Sequence, residues 1–133
     1  MARSPIRRRR QPDRGSATLE VAILAPVLLL IVFTIIQIAL WCFARSLALG
    51  AAQEGLAAAR VESGTLQAGR HRALEFLDEA GRDSLLAPEV QVRATSTEVQ
   101  VQVTGRALSV LPGVSGLPVR QSANGPIERF SRP

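Results

Sequence analysis

Residues 14–43 read RGSATLEVAILAPVLLLIVFTIIQIALWCF, and from Val21 to Phe43 only Thr34 and Gln37 interrupt an apolar run. As a helix rising about 1.5 Å per residue, the run reaches roughly the 30 Å of a hydrocarbon core, so a membrane span over about residues 21–43 is expected. Pro26 lies one and a half turns inside it. A proline there removes the hydrogen bond to the Ala22 carbonyl, and a bend or local loosening follows from that loss. Trp41 takes the place of an interfacial anchor, and Arg45 is the first charge after Glu20. Glu20 itself is a lone carboxylate on the threshold of the run, where a plain anchor has no use for one.

The formal charge of +5 belongs to the start of the chain. Arg3, Arg7, Arg8, Arg9, Arg10 and Arg14 outweigh Asp13, whereas beyond Ser16 arginines and acidic residues balance. Arginines beside a span hold that end in the cytoplasm, which puts the C-terminal part outside it. The cluster Arg7–Arg10 has no interleaved aromatic and is followed at once by the span, so it is read as a topology signal and not as a nucleic-acid or lipid-phosphate site. Residues 1–13, polar and broken by Pro5 and Pro12, are expected to be a disordered tail.

Beyond the span, residues 44–62 are alanine-rich and free of proline, so the helix is expected to continue into water. Small residues recur at four in Ala44, Ala48 and Ala52 and again in Ala51, Gly55 and Ala59. This is the spacing that lets another helix approach closely, and it is equally what an alanine-rich helix gives by composition. A second helix is signalled by Thr65 as N-cap, apolar positions at Leu66, Ala73, Leu74, Leu77 and Ala80, and Gly81 as the stop. After Pro88 the period changes to two. Val90, Val92 and Ala94, then Val99, Val101 and Val103, predict two half-buried strands joined by Thr95, Ser96 and Thr97. A lone hairpin is marginal, so its valine face is expected to pack on one or both helices. The proline- and glycine-rich remainder reads as a loop, a short third strand over residues 117–122 and a frayed end. The fold class is therefore α+β.

The residues for catalysis do not assemble. Cys42 is the single cysteine and His71 the single histidine. No triad, metal-ligand spacing or phosphate loop is present, so neither enzyme activity nor a cofactor nor a metal site is expected. Cys42 reads as a small membrane-facing side chain and His71 as a solvated one, with Asp78 and Arg82 forming a pair on an exposed helical face.

The run Gly15-Ser16-Ala17-Thr18-Leu19-Glu20, followed by an apolar helix with an early proline in Ala25-Pro26-Val27, resembles the TadE-like family of the Tad (tight adherence) pilus system. The resemblance covers about residues 14–52. It implies a bacterial inner-membrane protein, a minor pilin or pseudopilin whose basic leader a prepilin peptidase removes. A cut after Gly15 makes Ser16 the first residue and Glu20 the fifth, the family's glutamate position. Partners implied are that peptidase, other pilins, the inner-membrane assembly platform and membrane lipid. Val21 stands where the major pilins usually carry an aromatic, and a further domain follows, which points to a minor component. Related TadG-type proteins carry a much longer C-terminal domain, and these residues do not separate TadE-like from TadF-like roles. The organisation expected is a basic cytoplasmic leader over 1–15, a long helix over 16–62 and a small extracytoplasmic α+β region over 63–133.

Physical sense accompanies the motif. Glycine has the backbone freedom to be held extended at a cut site, and a carboxylate near hydrocarbon needs a partner, for which the new amine of Ser16 is a candidate. Two rivals remain. One is a secreted protein cut near Ala48-Leu49-Gly50, disfavoured because the apolar run exceeds a signal peptide's usual length. The other is an uncut single-pass anchor for a small binding domain.

Overall fold

The computed structural model describes residues 14–61 and 64–127, and contacts divide the chain into two units, Met1–Val32 and Phe33–Pro133. A single helix, α1 (Arg14–Arg60), contributes to both and runs through Pro26 without interruption. The loosening expected at the proline does not break the helix: proline's fixed φ is itself helical, so only one ladder bond is missing. In the first unit every α1 side chain from Thr18 to Val32 is exposed. The second unit contains the rest of α1, the helix α2 (Leu66–Gly81) and three strands, β1 (Leu85–Ala94), β2 (Glu98–Ala107) and β3 (Pro118–Pro126).

Within the second unit α1 gives the core its small side chains and β2 its valines. Ala44, Ala48, Ala51 and Ala52 are fully buried, together with Val101 and Val103. The α1 stripe of small residues is thus packed in cis. A Cβ added to Gly55 would lie 2.8 Å from the Gly69 carbonyl oxygen and 3.3 Å from Val101 Cγ1, so α2 and β2 both approach α1 at a site that admits no side chain. The Arg72 guanidinium on α2 adds a clasp, with Nε donating to Glu54 Oε2 on α1 at 3.2 Å.

Helix α2 starts as the sequence indicates, with Thr65 Oγ1 accepting from the Ala68 N–H at 3.0 Å. Its buried stripe is narrower than expected: Gly69, Ala73 and Leu77 are inside, whereas Leu66, Leu74 and Ala80 are exposed. A stripe at strict spacing of four, with glycine and alanine in it, suits close backbone approach better than a wide apolar face. Gly81 does not supply a left-handed stop. It is the last helical residue, Arg82 after it is still right-handed (φ −45, ψ −41), and the small size of Gly81 makes room for Leu47.

The sheet is antiparallel in the order β1-β2-β3. Val90 and Val92 pair with Val103 and Val101, as the alternation requires, and Val99, Val101, Val103 and Ala107 put one face of β2 into the core. Ala94, grouped with the valines from the sequence, is exposed next to the turn. That turn is tied by Thr95, whose N–H donates to the Glu98 carbonyl at 2.8 Å while its Oγ1 accepts from the Glu98 N–H at 3.1 Å. Two boundaries differ from expectation. Strand β1 begins at Leu85, before Pro88, by way of a bulge between Leu86 and Glu89 in which Ala87 takes φ 46. Strand β3 begins at Pro118 and runs to Pro126, longer than the segment expected over 117–122, because its full length pairs with β2 and pairing overrides the weak propensity of Ser122, Asn124 and Gly125.

Candidate membrane and assembly site

Along α1 the character of the helix changes at Gln37. Before it, large apolar side chains lie open, with Leu28 63% and Ile35 61% exposed; Gln37 is 4% exposed and is the one buried polar residue among those described. Both ends of its amide are used. Nε2 donates to the Leu108 carbonyl and Oε1 accepts from the Val110 N–H, each at 3.0 Å. One side chain of α1 thereby satisfies the backbone where the chain leaves β2, and pairing both ends of the buried amide offsets the cost of its desolvation.

One turn further on, the Trp41 indole N–H donates to the Pro118 carbonyl at 3.3 Å, and the Arg45 guanidinium carbon lies 4.7 Å from the Trp41 ring centroid. Trp41 is half-buried against the core. The residue read as an interfacial anchor thus also ties α1 to the start of β3. Cys42, on the same turn, is a free exposed thiol, its carbonyl accepting from Ser46 Oγ at 3.1 Å.

The segment held by Gln37, residues 108–117, is itself well tied. The Ala107 N–H donates to the Leu117 carbonyl at 2.9 Å and closes the base, where Gly116 faces the Ala107 carbonyl so closely that a Cβ has no room. At the tip, Leu111-Pro112-Gly113-Val114 forms a turn with Gly113 at φ 77 and the Val114 N–H on the Leu111 carbonyl at 3.3 Å. Proline followed by a left-handed glycine is the requirement of a type II turn.

Gly15 and Ser16 fall in the first turn of α1, which begins at Arg14. N–H groups of a first turn have no intrahelical acceptor, so unwinding it to present an extended bond costs little. Glu20 is exposed on the next turn and is the single carboxylate between Arg14 and Arg45. Pro26 lies two turns beyond Glu20 in the same apolar stretch. Arg7, Arg8, Arg9 and Arg10 lie outside the described residues. Elsewhere, His71 is exposed with Nδ1 3.4 Å from Glu75 Oε1. Asp78 and Arg82 form a two-pronged pair at 2.6 Å per contact, whose hydrogen bonds hold the Asp78 carboxyl below the usual carboxylate range and raise the Arg82 guanidinium. These groups stand on the solvent face of α2.

Sequence reasoning passed over Gln37 as a mere interruption of the apolar run. Its signal was there, since an amide in the last third of a span has to find partners. The partners themselves, about seventy residues away, were not readable.

The described residues hold one helix long and apolar enough to cross a membrane, joined to a small α+β unit built around its second half. This is an α+β unit with an apolar N-terminal helix that could span a membrane. Residues 15–56 match the family model of the TadE-like protein, so Gly15, Ser16, Glu20, Pro26 and the Gln37–Arg45 collar all fall within the matched segment. TadE-like proteins are pilus-associated. No curated protein and no solved structure matches the chain.

Proposed function

We propose that this chain is a minor pilin- or pseudopilin-like structural component of a Tad-type pilus assembly machinery, inserted in the inner membrane with its N-terminus cytoplasmic and its α+β unit outside. The observation that carries the reading is the TadE-like match over 15–56, a segment that contains Gly15, Glu20 and Pro26. In this reading a prepilin peptidase cuts between Gly15 and Ser16, and the mature chain acts as a part that packs with other pilins and the assembly platform, not as a catalyst.

Physical considerations support it. Residues 18–36, ahead of the Gln37 tie, rise about 28 Å, close to a hydrocarbon thickness. The span therefore sits a few residues earlier than the apolar run alone suggests, and Glu20 falls inside its first turn. An amine on Ser16, one helical turn away or on a neighbouring copy, gives that carboxylate a partner. At about 4 Å and an effective dielectric near 20, the attraction is on the order of 4 kcal/mol before desolvation, enough to set axial register between subunits.

The mature N-terminal sequence from a pilus-competent cell tests the reading. Ser16 first is the expected result. Met1 or Ala2 first gives the uncut anchor, and a start near Ala51 gives a secreted protein. Gly15→Leu is expected to leave a full-length precursor in the membrane.

A further inference from the structure

We propose that residues 108–117 form a membrane-seated loop, lying in the extracytoplasmic leaflet beside α1, with Arg45, Arg106 and Arg120 at the level of the lipid phosphates. The inference rests on the reading that α1 crosses the bilayer, and it adds a second point of membrane contact to the folded unit.

The first observation is chemical. From Ala107 to Val119 there is no charged residue, and Arg106 and Arg120 bracket the stretch. Within it Val110, Val114 and Leu117 are 39%, 45% and 40% exposed. Together they give one loop three open apolar side chains, in a unit whose other strand-to-strand turn, Thr95-Ser96-Thr97, is wholly polar.

The second observation is where the loop is held. Gln37 fixes Leu108 and Val110 to α1 at the point where the helix still presents Phe33, Ile35, Ile36 and Ile38 outward, at 41%, 61%, 40% and 55% exposure. The loop is thus tied to α1 at a level where the helix still exposes apolar side chains. An occupant that covers Ile36 and Ile38 with hydrocarbon meets the backbone at Val110 on the same level.

The third observation is the vertical order of polar groups. Along α1, Gln37 follows the 18–36 span directly, and Trp41 and Arg45 follow Gln37 by about 6 and 12 Å, which sets them in the interfacial layer and at the lipid phosphates. Arg120 and Arg106 flank the Pro118 carbonyl that accepts from Trp41: Arg120 is two residues further along β3, and Arg106 is the β2 residue paired with Pro118. Arg45 and Arg120 lie in stretches without a carboxylate, between Glu20 and Glu54 and between Glu98 and Glu128, whereas Arg106 has Glu89 close by, paired with Thr104 across the β1–β2 ladder. Guanidinium groups over an apolar surface suit phosphodiester headgroups. The turn geometry, the closed base and the Gln37 tie make the loop preorganised, so seating it in lipid orders little new backbone.

The test uses the full chain with Cys42→Ala and one new cysteine at a time, at Val114, at Ile31 in the span and at Gln67 on the far exposed face. Each is labelled with bimane and reconstituted in phosphatidylethanolamine–phosphatidylglycerol vesicles containing lipids with a nitroxide in the headgroup, at carbon 5 or at carbon 12. Ile31 is expected to be quenched most by carbon 12. Val114 is expected to be quenched at least twofold more than Gln67 by headgroup and carbon 5 nitroxides. Quenching at Ile31 with Val114 indistinguishable from Gln67 overturns the loop proposal and leaves the span standing. A Val114 label shielded from both lipid nitroxides and aqueous iodide marks a protein contact, and it overturns the proposal too. Loss of quenching at Ile31 overturns the membrane reading and the loop with it.

Discussion

The two halves of α1 invert the usual relation between size and burial. Residues 18–36 carry the large aliphatic side chains and leave them open, whereas in residues 44–59 the buried face is dominated by alanine and glycine. What separates the halves is the partner each is built to meet. Methyl-sized side chains let backbones of the same chain come within contact, as Gly55 and Gly69 do, and the dispersion gained is with main chain and β2 valines. The large side chains of residues 18–36 lie open among the described residues and suit a liquid hydrocarbon.

The strongest way to break this comparison is to put bulk into the small half. Gly55→Leu forces a side chain against the Gly69 carbonyl and is expected to destabilise the folded unit by about 3 kcal/mol, offset only in part by better helix propensity. Thermal unfolding followed by Trp41 emission reads it. Ile31→Leu, the corresponding change in the open half, is expected to leave the midpoint unchanged, and equal effects would dissolve the distinction.

At the boundary between the halves, Gln37→Leu keeps the volume and strands the Leu108 carbonyl and Val110 N–H. A loss of about 2 to 4 kcal/mol is expected, with faster hydrogen exchange at Val110 first. If exchange at Val110 is unaltered, the tie is not what holds the loop.

Glu20→Ala sharpens the comparison from the other side. The folded unit is expected to keep its stability to within about 0.5 kcal/mol, and the protein to insert normally, while crosslinking of the span to pilus partners falls. Glu20→Asp is intermediate. Normal crosslinking and piliation in Glu20→Ala would make the carboxylate incidental.

The smallest effect belongs to Asp78→Asn. The Arg82 hydrogen bonds lower the Asp78 carboxyl, so the pair contributes stability above the ordinary carboxylate range and loses it as pH falls through the lowered value. Both groups are exposed and the contribution is small. The variant is expected to melt slightly below the parent at neutral pH and to converge with it on acidification; divergence at low pH contradicts the assignment.

Local signals were legible. The Thr65 cap, the alternation through Val99, Val101 and Val103, and the polar turn at residues 95–97 each express short-range chemistry, and each appears where the sequence puts it. The stripe of Ala44, Ala48 and Ala52 was compatible with a close approach and equally with plain composition, because small side chains do not encode what comes near them. The extension of strand β3 beyond the segment expected over 117–122, to Pro126, and the Gln37 tie were hidden for a related reason. Ser122, Asn124 and Gly125 have no strand preference of their own, and an amide partner about seventy residues away leaves no periodic trace. The Gly15–Ser16 bond lies in a helical turn, which would have to open for the proposed cleavage.

The prolines of the sheet have a consequence for how copies of this chain can meet. The outer strands β1 and β3 are its two borders, and each is spoiled as a template: β1 by the Ala87–Pro88 bulge, β3 by a proline at each end. A missing N–H and a local twist interrupt any ladder that a second chain would try to add. Strand-by-strand polymerisation, the route to amyloid, is thereby discouraged in a protein proposed to pack closely with other pilins.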